Sequence, residues 1–295
     1  MYRIGIDLGG TKTEGILLDN NLHQINRLRM PTRQEEGYSQ VVETIVNITK
    51  KFVEQTGNDE YVFGIGTPGY TGNDGKIRNS SLQCINGNSL VMDLENELGI
   101  TVYTVNDANC FALSEAIMGA GKGEEVVFGV ILGTGCGGGL VVNGQVWKGP
   151  RFLGGEIGHT TLHPGGVPCF CGKRGCVERY ISGTGVEEQH LERFGEQKAL
   201  PDIVAAYREG DQQAKETMDA FFDDFGIAMA NLMNMVDPGK IVLGGGVSNI
   251  KEVYTTGLER VKNHVFGHVD KVPVVKNENG DSAGVFGAAL LGKKL

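Results

Sequence analysis

Two short segments hold the residue types that phosphate chemistry needs. In Asp7-Leu8-Gly9-Gly10-Thr11-Lys12, an aspartate is followed by small residues, a hydroxyl and an ammonium. Small residues let backbone N–H groups converge on a phosphate, and a carboxylate ending a strand can hold magnesium, usually through water. An Asp-Gly hairpin with a surface lysine would read the same way in isolation. The pattern recurs, however, in Gly133-Thr134-Gly135-Cys136-Gly137-Gly138-Gly139, again between apolar runs. Two similar halves, each presenting a turn to one shared ligand, account for both copies together. Asn106-Asp107 follows the apolar run Thr101–Val105. Both residues are favoured helix caps. A carboxylate within about 3 Å of a hydroxyl can also accept its proton as the oxygen attacks phosphorus. The two roles are compatible, because a cap fixes the direction of the carboxylate. Cys169, Cys171 and Cys176 fall within eight positions, a spacing poor for a disulfide framework and good for a metal.

Two windows, Gly64/Gly66/Gly69 and Gly133/Gly135/Gly138, fit G-x-G-x-x-G. That fingerprint needs a helix directly after the glycines, so that pyrophosphate meets the helix N-terminus. Here turn residues follow the first window and an apolar strand follows the second, so both are decoys. The G-x-x-x-x-G-K-[ST] phosphate loop is also missing. Phosphate would have to be held by the paired hairpin turns instead.

The elements positioning these groups read as α/β throughout. Arg3–Leu8 and Thr13–Leu18 form a strand pair around the first turn, and Val126–Leu132 with Leu140–Val142 forms the second around Gly133–Gly139. Val41, Val42, Ile45, Ile48, Phe52 and Val53 recur at helical spacing. Tyr61–Gly66 and Thr101–Val105 read as strands, the latter leading into a helix from Ala108 to Met118. After an irregular cysteine-bearing stretch (residues 150–185), a long amphipathic helix carries Ala214 through Val236 and stops at Asp237-Pro238. The strand Lys240–Leu243 opens into Gly244-Gly245-Gly246, and a small apolar helix, Ser282–Leu291, is expected to pack back on the first half.

Glycine is the compositional outlier, 46 of 295 residues against a usual ~7%. A net charge of −9 argues against a nucleic-acid partner, which needs a basic face. No apolar run approaches the ~20 residues that span a bilayer. No export signal precedes the first strand, so a reducing cytoplasm is the expected setting.

Six motifs occur in a fixed order: Asp-Leu-Gly-Gly-Thr-Lys, Asn-Asp-Ala-Asn, Gly-Thr-Gly-Cys-Gly-Gly-Gly, Glu-Ile-Gly-His, Cys-x-Cys-Gly-x-x-Gly-Cys-x-Glu and Gly-Gly-Gly-x-Ser-Asn. In this the chain resembles, over essentially its whole length, the ROK family of bacterial sugar kinases and repressors, within the actin-like, hexokinase-like ATPases. The resemblance implies two ribonuclease-H-like domains with ATP and a sugar meeting in the cleft between them. The expected division is 1–107 with 282–295 against 108–281.

It also implies Asp107 as catalytic base. Asn106, Glu156, His159 and Glu178 would be sugar-gripping residues, with Asn79 in the loop after Gly69 at a similar position. The phosphates of ATP would meet Gly9, Gly10, Thr11 and Lys12 and, opposite, Gly133, Thr134 and Gly135, with Asp7 placing magnesium. Gly244, Gly245 and Gly246 would face adenosine, with Asn249 beyond them. Cys169, Cys171 and Cys176 with His159 make a Cys-three-His set that suits structural zinc with no open position; three buried free cysteines are the alternative. The remaining Cys84, Cys110 and Cys136 read as buried small hydrophobes.

The expected reaction is ATP-dependent phosphorylation of a free hexose at its 6-hydroxyl, with fructose or a broad hexose range first, then glucose. N-acetylhexosamine is the alternative, which the Asn109–Glu115 segment resembles. Cys84 departs from the fructokinase branch, which tends to carry a bulky aromatic there. Family repressors carry a helix-turn-helix ahead of the first hairpin; with the hairpin starting at Ile4, that role is not expected. A non-catalytic sugar sensor is opposed by Asp107, Lys12 and both turns. Resemblance further suggests a homodimer.

Overall fold

The computed structural model describes residues 1–57 and 59–292. Among them the chain forms two five-stranded sheets built to one plan. In the first, β1 (Tyr2–Leu8), β2 (Lys12–Leu18) and β3 (Gln24–Pro31) form an antiparallel meander. Helix α1 (Tyr38–Thr56) then crosses to β4 (Tyr61–Thr67), parallel to β1. A small hairpin follows, β5 (Tyr70–Thr71) with β6 (Ile77–Arg78). Helix α2 (Leu90–Leu98) leads to β7 (Val102–Asn106), parallel to β4.

After α3 (Asp107–Met118) the plan repeats. Strands β8 (Val126–Leu132), β9 (Cys136–Val142) and β10 (Gln145–Val146) form the meander. The irregular segment then carries α4 (Glu178–Ile181), followed by α5 (Gly183–Phe194), α6 (Leu200–Glu209) and α7 (Gln212–Val236). Strand β11 (Lys240–Gly244), α8 (Thr256–Lys262) and β12 (Val274–Lys276) complete the parallel half, and α9 (Ala283–Ala289) ends it. The sheet orders β3-β2-β1-β4-β7 and β10-β9-β8-β11-β12 correspond strand for strand. The duplication expected from the glycine turns therefore extends through both halves.

The reasons for the elements are local. On α1 the 3.6-residue period puts Val41, Ile45, Ile48 and Phe52 on one face, all at 0% exposure against the first sheet. Helix α7 buries Met218, Phe222, Phe225 and Met229 in the second core. It stops where Asp237 turns left-handed (φ 46°) ahead of Pro238. Between the sheets lie α3 and α9, whose side chains share a third apolar cluster. There the crossing is close: a Cβ on Gly287 would sit 1.8 Å from the Cys110 carbonyl oxygen.

Several expectations need correction. The second glycine run is a turn only over Gly133–Gly135, and β9 starts at Cys136 rather than Leu140. Its glycines let other segments pack close on the sheet: a Cβ on Gly138 would meet the Gly155 carbonyl of the irregular segment at 2.3 Å, and one on Gly139 the Ala108 carbonyl of α3 at 2.7 Å. Helix α3 starts at Asp107, not Ala108, because Asn106 takes the cap. Strand β3 and helices α2, α5, α6 and α8 were not expected; α5 carries only a weak apolar face, whereas α6 buries Leu200, Ile203 and Val204 on one side. Every residue of β3 is partly or fully exposed, and its Arg27 and Arg29 pair with Glu14 of β2. The last helix packs on the first half as expected; residues 293–295 of the expected 282–295 segment lie outside the described residues.

We expect Gly287→Ala to destabilise the fold by about 1–3 kcal/mol through overpacking against Cys110. Chemical denaturation measures this, and an unchanged midpoint would contradict the close crossing.

Candidate functional site

In open α/β sheets, ligands bind outside the carboxyl ends of the strands. Asp7, Asn106 and Gly244 lie at such strand ends. Registers align Asp7 with Gly66 across β1 and β4, and Thr67 with Asn106 across β4 and β7. In the second sheet, Gly244 of β11 is level with Ile131 of β8.

Asn106 ends β7 and caps α3: its Oδ1 accepts from the Asn109 backbone N–H at 2.9 Å and from Asn109 Nδ2 at 2.6 Å. Its own Nδ2 donates to Glu156 Oε1 at 3.4 Å. Asp107 occupies the first helical position, where its Oδ1 accepts from the Ala108 N–H at 2.8 Å. The side chain remains open to solvent, although protein crowds it on its other sides. That crowding raises its pKa by desolvation, against the backbone hydrogen bond that lowers it. The helix N-terminus also favours the anion, but an effect of about 0.3–1 kcal/mol does not reverse the direction.

Asp7 carries a larger perturbation. Burial first, then the charges of Asp107 and Glu14, push its pKa up to about 7, with Arg29 opposing. Glu156 is raised too, chiefly by desolvation and further by Asp107 and Glu178, while His159 lowers it. The charge of Asp107 thus acts on both Asp7 and Glu156, and a cation at Asp7 would relieve its crowding.

Glu178 opens α4 and its Oε2 accepts from the Cys136 N–H at 3.0 Å, which ties the irregular segment to the second turn. That turn is held on two further sides. Gly183 N donates to Gly133 O at 2.7 Å, and Gly245 is so close that a Cβ would stand 3.0 Å from Gly133 N. Gly133–Gly135 and Gly244–Gly246 are therefore neighbours, and the N-terminus of α5 abuts them.

His159, Cys169, Cys171 and Cys176 present ligand atoms that all lie within 4.8 Å of one another. His159 Nδ1 is 3.7 Å from Cys169 Sγ, and the Cys171 and Cys176 sulfurs are 3.6 Å apart. A tight loop brings them together, with Cys169 N bonded to Lys173 O and with Gly172 and Gly175 at positive φ. Cys171 is exposed, which opposes the reading of three buried free thiols. Cys110 and Cys136 are buried as expected, but Cys84 is only partly so, at the margin of the first core.

Not every residue marked in the sequence joins these contacts. Gly9, Gly10, Thr11 and Lys12 form the β1–β2 turn, with Thr11 and Lys12 exposed. Exposed Asn79 stands in left-handed backbone (φ 53°), and exposed Asn249 ends the turn after Gly246; neither side chain bonds another marked residue. Thr134 is also exposed, at the tip of its turn.

Sequence reasoning missed three contributors. Asn109 braces Asn106. The Ser182–Gly185 start of α5 was signalled by its small residues and the Ser182 cap. Lys148, whose Nζ donates to Thr104 O at 2.8 Å, had no signal in the sequence. A concavity of about 730 Å³ along α8 holds none of the marked residues; one of about 320 Å³ includes Asn106.

Asp7 generates a stability prediction. Its folded pKa of about 7 exceeds the ordinary 3.8, so the folded state holds the proton more tightly and its contribution is lost as pH rises through that window. Without divalent cations, the melting temperature of the native protein should fall relative to Asp7→Asn between pH 5 and 8. A constant difference would contradict the assignment.

The ROK family pattern matches residues 3–295. The N-acetyl-D-glucosamine kinase of Aliivibrio fischeri is 39% identical over 302 residues, covering 98% of this chain and 99% of that protein. Among solved structures, a ROK hexokinase from Thermus thermophilus is similar at TM-score 0.90 and 34% identity, covering 98% of this chain and 97% of that one. A ROK glucokinase from Streptomyces griseus, in complex with glucose and AMPPNP, is similar at TM-score 0.76 and 27% identity, with 98% of each chain covered. The duplicated sheets have the two-domain actin-like architecture of these kinases, and the chain belongs to the ROK family.

Proposed function

We propose that the chain transfers the terminal phosphoryl group of ATP to the 6-hydroxyl of an N-acetylhexosamine, N-acetyl-D-glucosamine first among them. At the coarser level it is an ATP-dependent sugar kinase. The observation that carries the finer reading is the junction of β7 and α3. There Asp107 opens on the crevice beside the hydrogen-bonded pair Asn106–Glu156. The choice of sugar rests on the relatives, since N-acetyl-D-glucosamine kinases match at 39% identity end to end. This reverses the order expected from sequence, which put fructose first and N-acetylhexosamines last.

In this reading Asn106, Glu156, His159 and Glu178 grip the sugar hydroxyls, with Asn79 approaching from the loop after β4. Asp107 accepts the proton of the 6-hydroxyl as that oxygen bonds to phosphorus and the bond to the departing ADP breaks. Its pKa, raised by desolvation, strengthens it as a base. Backbone N–H groups of Gly9–Lys12 and Gly133–Gly135 hold phosphates, supported by the positive end of α5. Lys12 adds a charge, and Gly244–Gly246 with Asn249 border the nucleoside. Magnesium would be held at Asp7, where it neutralises phosphate charge.

His159 with Cys169, Cys171 and Cys176 fits zinc: three sulfurs and one nitrogen, already gathered and with no open position. Ligation through Nδ1 would fix the imidazole and leave Nε2 for the sugar. The expected division, 1–107 with 282–295 against 108–281, puts the crevice between two closing domains that shut out competing water. We further propose a cytoplasmic homodimer. Among the described residues, no helix is long and apolar enough to cross a membrane.

Two outcomes test these roles. Asp107→Asn should lower kcat by ~10²–10⁴-fold with little change in sugar KM, and near-native turnover would rule out the base assignment. Cys171→Ser should lose its zinc in elemental analysis, melt at lower temperature and raise the sugar KM several-fold; zinc retained at full stoichiometry would contradict the ligand set. Panel assays with MgATP against N-acetylglucosamine, N-acetylmannosamine, glucose and fructose test the reading as a whole, which fails if no sugar stimulates ADP release.

A further inference from the structure

The β1–β2 turn offers its donors from an exposed position, since Gly10, Thr11 and Lys12 all face solvent. Beneath it lies a buried pair of hydroxyls. Thr13 of β2 and Thr32, the residue after β3, are both 0% exposed, and their Oγ1 atoms are 3.0 Å apart. Thr32 Oγ1 donates to the Gly9 carbonyl at 2.6 Å. A hydroxyl has one hydrogen to give, so Thr13 is the donor within the pair and the bonds run from Thr13 to Thr32 to Gly9. The Thr32 backbone N–H also donates, to Thr11 O at 3.0 Å. One residue from outside the hairpin thus holds two of the turn's carbonyls.

Those two bonds settle where the turn's own donors point. In a trans peptide the C=O and the following N–H point in opposite directions, and the described peptide bonds are all trans. With Gly9 O and Thr11 O both drawn to Thr32, the Gly10 and Lys12 N–H groups are turned away from it. The turn is open at Gly10, where a Cβ would find only Gln34 Nε2, at 3.9 Å. Thr32 is itself fixed from beyond, because Arg33 is left-handed (φ 61°) and its guanidinium grips Glu36 at 2.9 and 2.6 Å.

The second half does the same with a different donor. Gly133 follows β8 as Gly9 follows β1, and its carbonyl accepts from Gly183 N at 2.7 Å, again from outside the hairpin. There the donor is a backbone N–H at the start of α5; at Gly9 it is a side-chain hydroxyl, which a substitution can remove. Two halves that restrain the same carbonyl with unrelated donors have in common the orientation of the turn. We infer that Thr32 is a positioning residue for the phosphoryl donor. Its hydroxyl, held by Thr13, presets the β1–β2 turn so that the Gly10 and Lys12 N–H groups meet the phosphates of ATP. The inference rests on the proposed reading of this turn as a phosphate site.

The test is steady-state kinetics on the native enzyme, Thr32→Val, Thr32→Ser and Lys12→Ala, each checked for a native melting transition. MgATP is varied against the sugar that the native enzyme turns over fastest. Valine keeps the branched shape and the backbone N–H and removes only the hydroxyl. Thr32→Val should raise the KM for ATP about tenfold or more and leave the sugar KM within about twofold, and Thr32→Ser should restore the native value. A native ATP KM in folded Thr32→Val, with only a lower melting temperature, overturns the inference. If Lys12→Ala then raises the ATP KM, the phosphate site stands without it; if that variant is also native, the phosphate reading falls too. Amide hydrogen exchange on the native enzyme decides the matter should Thr32→Val not fold. MgADP should slow exchange at Gly10, and unchanged exchange there overturns the inference.

Discussion

The side chain of Asn106 is where strand, helix and irregular segment are joined. Its carbonyl oxygen closes the first turn of α3, and its amide reaches Glu156, fifty residues on in sequence. This fixes the backbone at Asp107, and the hydrogen bond from the Ala108 N–H to Oδ1 then orients its carboxylate. Asn109 in turn holds Asn106 from inside α3. The proposed base Asp107 and the proposed sugar-gripping pair Asn106 and Glu156 meet at this junction. Its position depends on α3 and α9 crossing between the two sheets, where glycine at 287 permits the close approach.

Electrostatics makes the crevice ready for a cation and a polar neutral ligand. Asp7, Asp107 and Glu156 all have raised pKa values, each chiefly through desolvation and Asp7 and Glu156 also through one another's neighbours. These carboxylates repel phosphate unless compensated. The compensation available is local: N–H groups of the glycine turns, the N-terminus of α5, Lys12 and, in the proposed complex, magnesium at Asp7. A chain of net charge −9 can therefore bind a polyanion without any basic face.

The hairpin turns were readable from sequence because glycine and threonine stand between apolar strands, and the cysteine loop because its spacing has few other uses. Asp107 was readable as an aspartate at a strand–helix junction. Strand β3 was not, since its alternation is short: only Leu28 and Met30 pack on the first core, while Arg27 and Arg29 hold Glu14 on the other face of this exposed edge strand. The extent of the second turn was misread for a related reason. Glycine marks both tight turns and close packing, and only the packed structure shows that Gly137–Gly139 do the second. Lys148 was invisible because its surroundings come from β7, forty-four residues away, and no local pattern announces a contact of that range.

The proposed reaction transfers a phosphoryl group to one specific oxygen of an N-acetylhexosamine. Incubating the protein with MgATP and N-acetylglucosamine, then locating the new phosphate by phosphorus–carbon correlated NMR, tests it most directly. A single sugar phosphate esterified at O6, formed in step with ADP, is the expected product. Phosphate at another hydroxyl, or ADP and inorganic phosphate without any sugar ester, would contradict it.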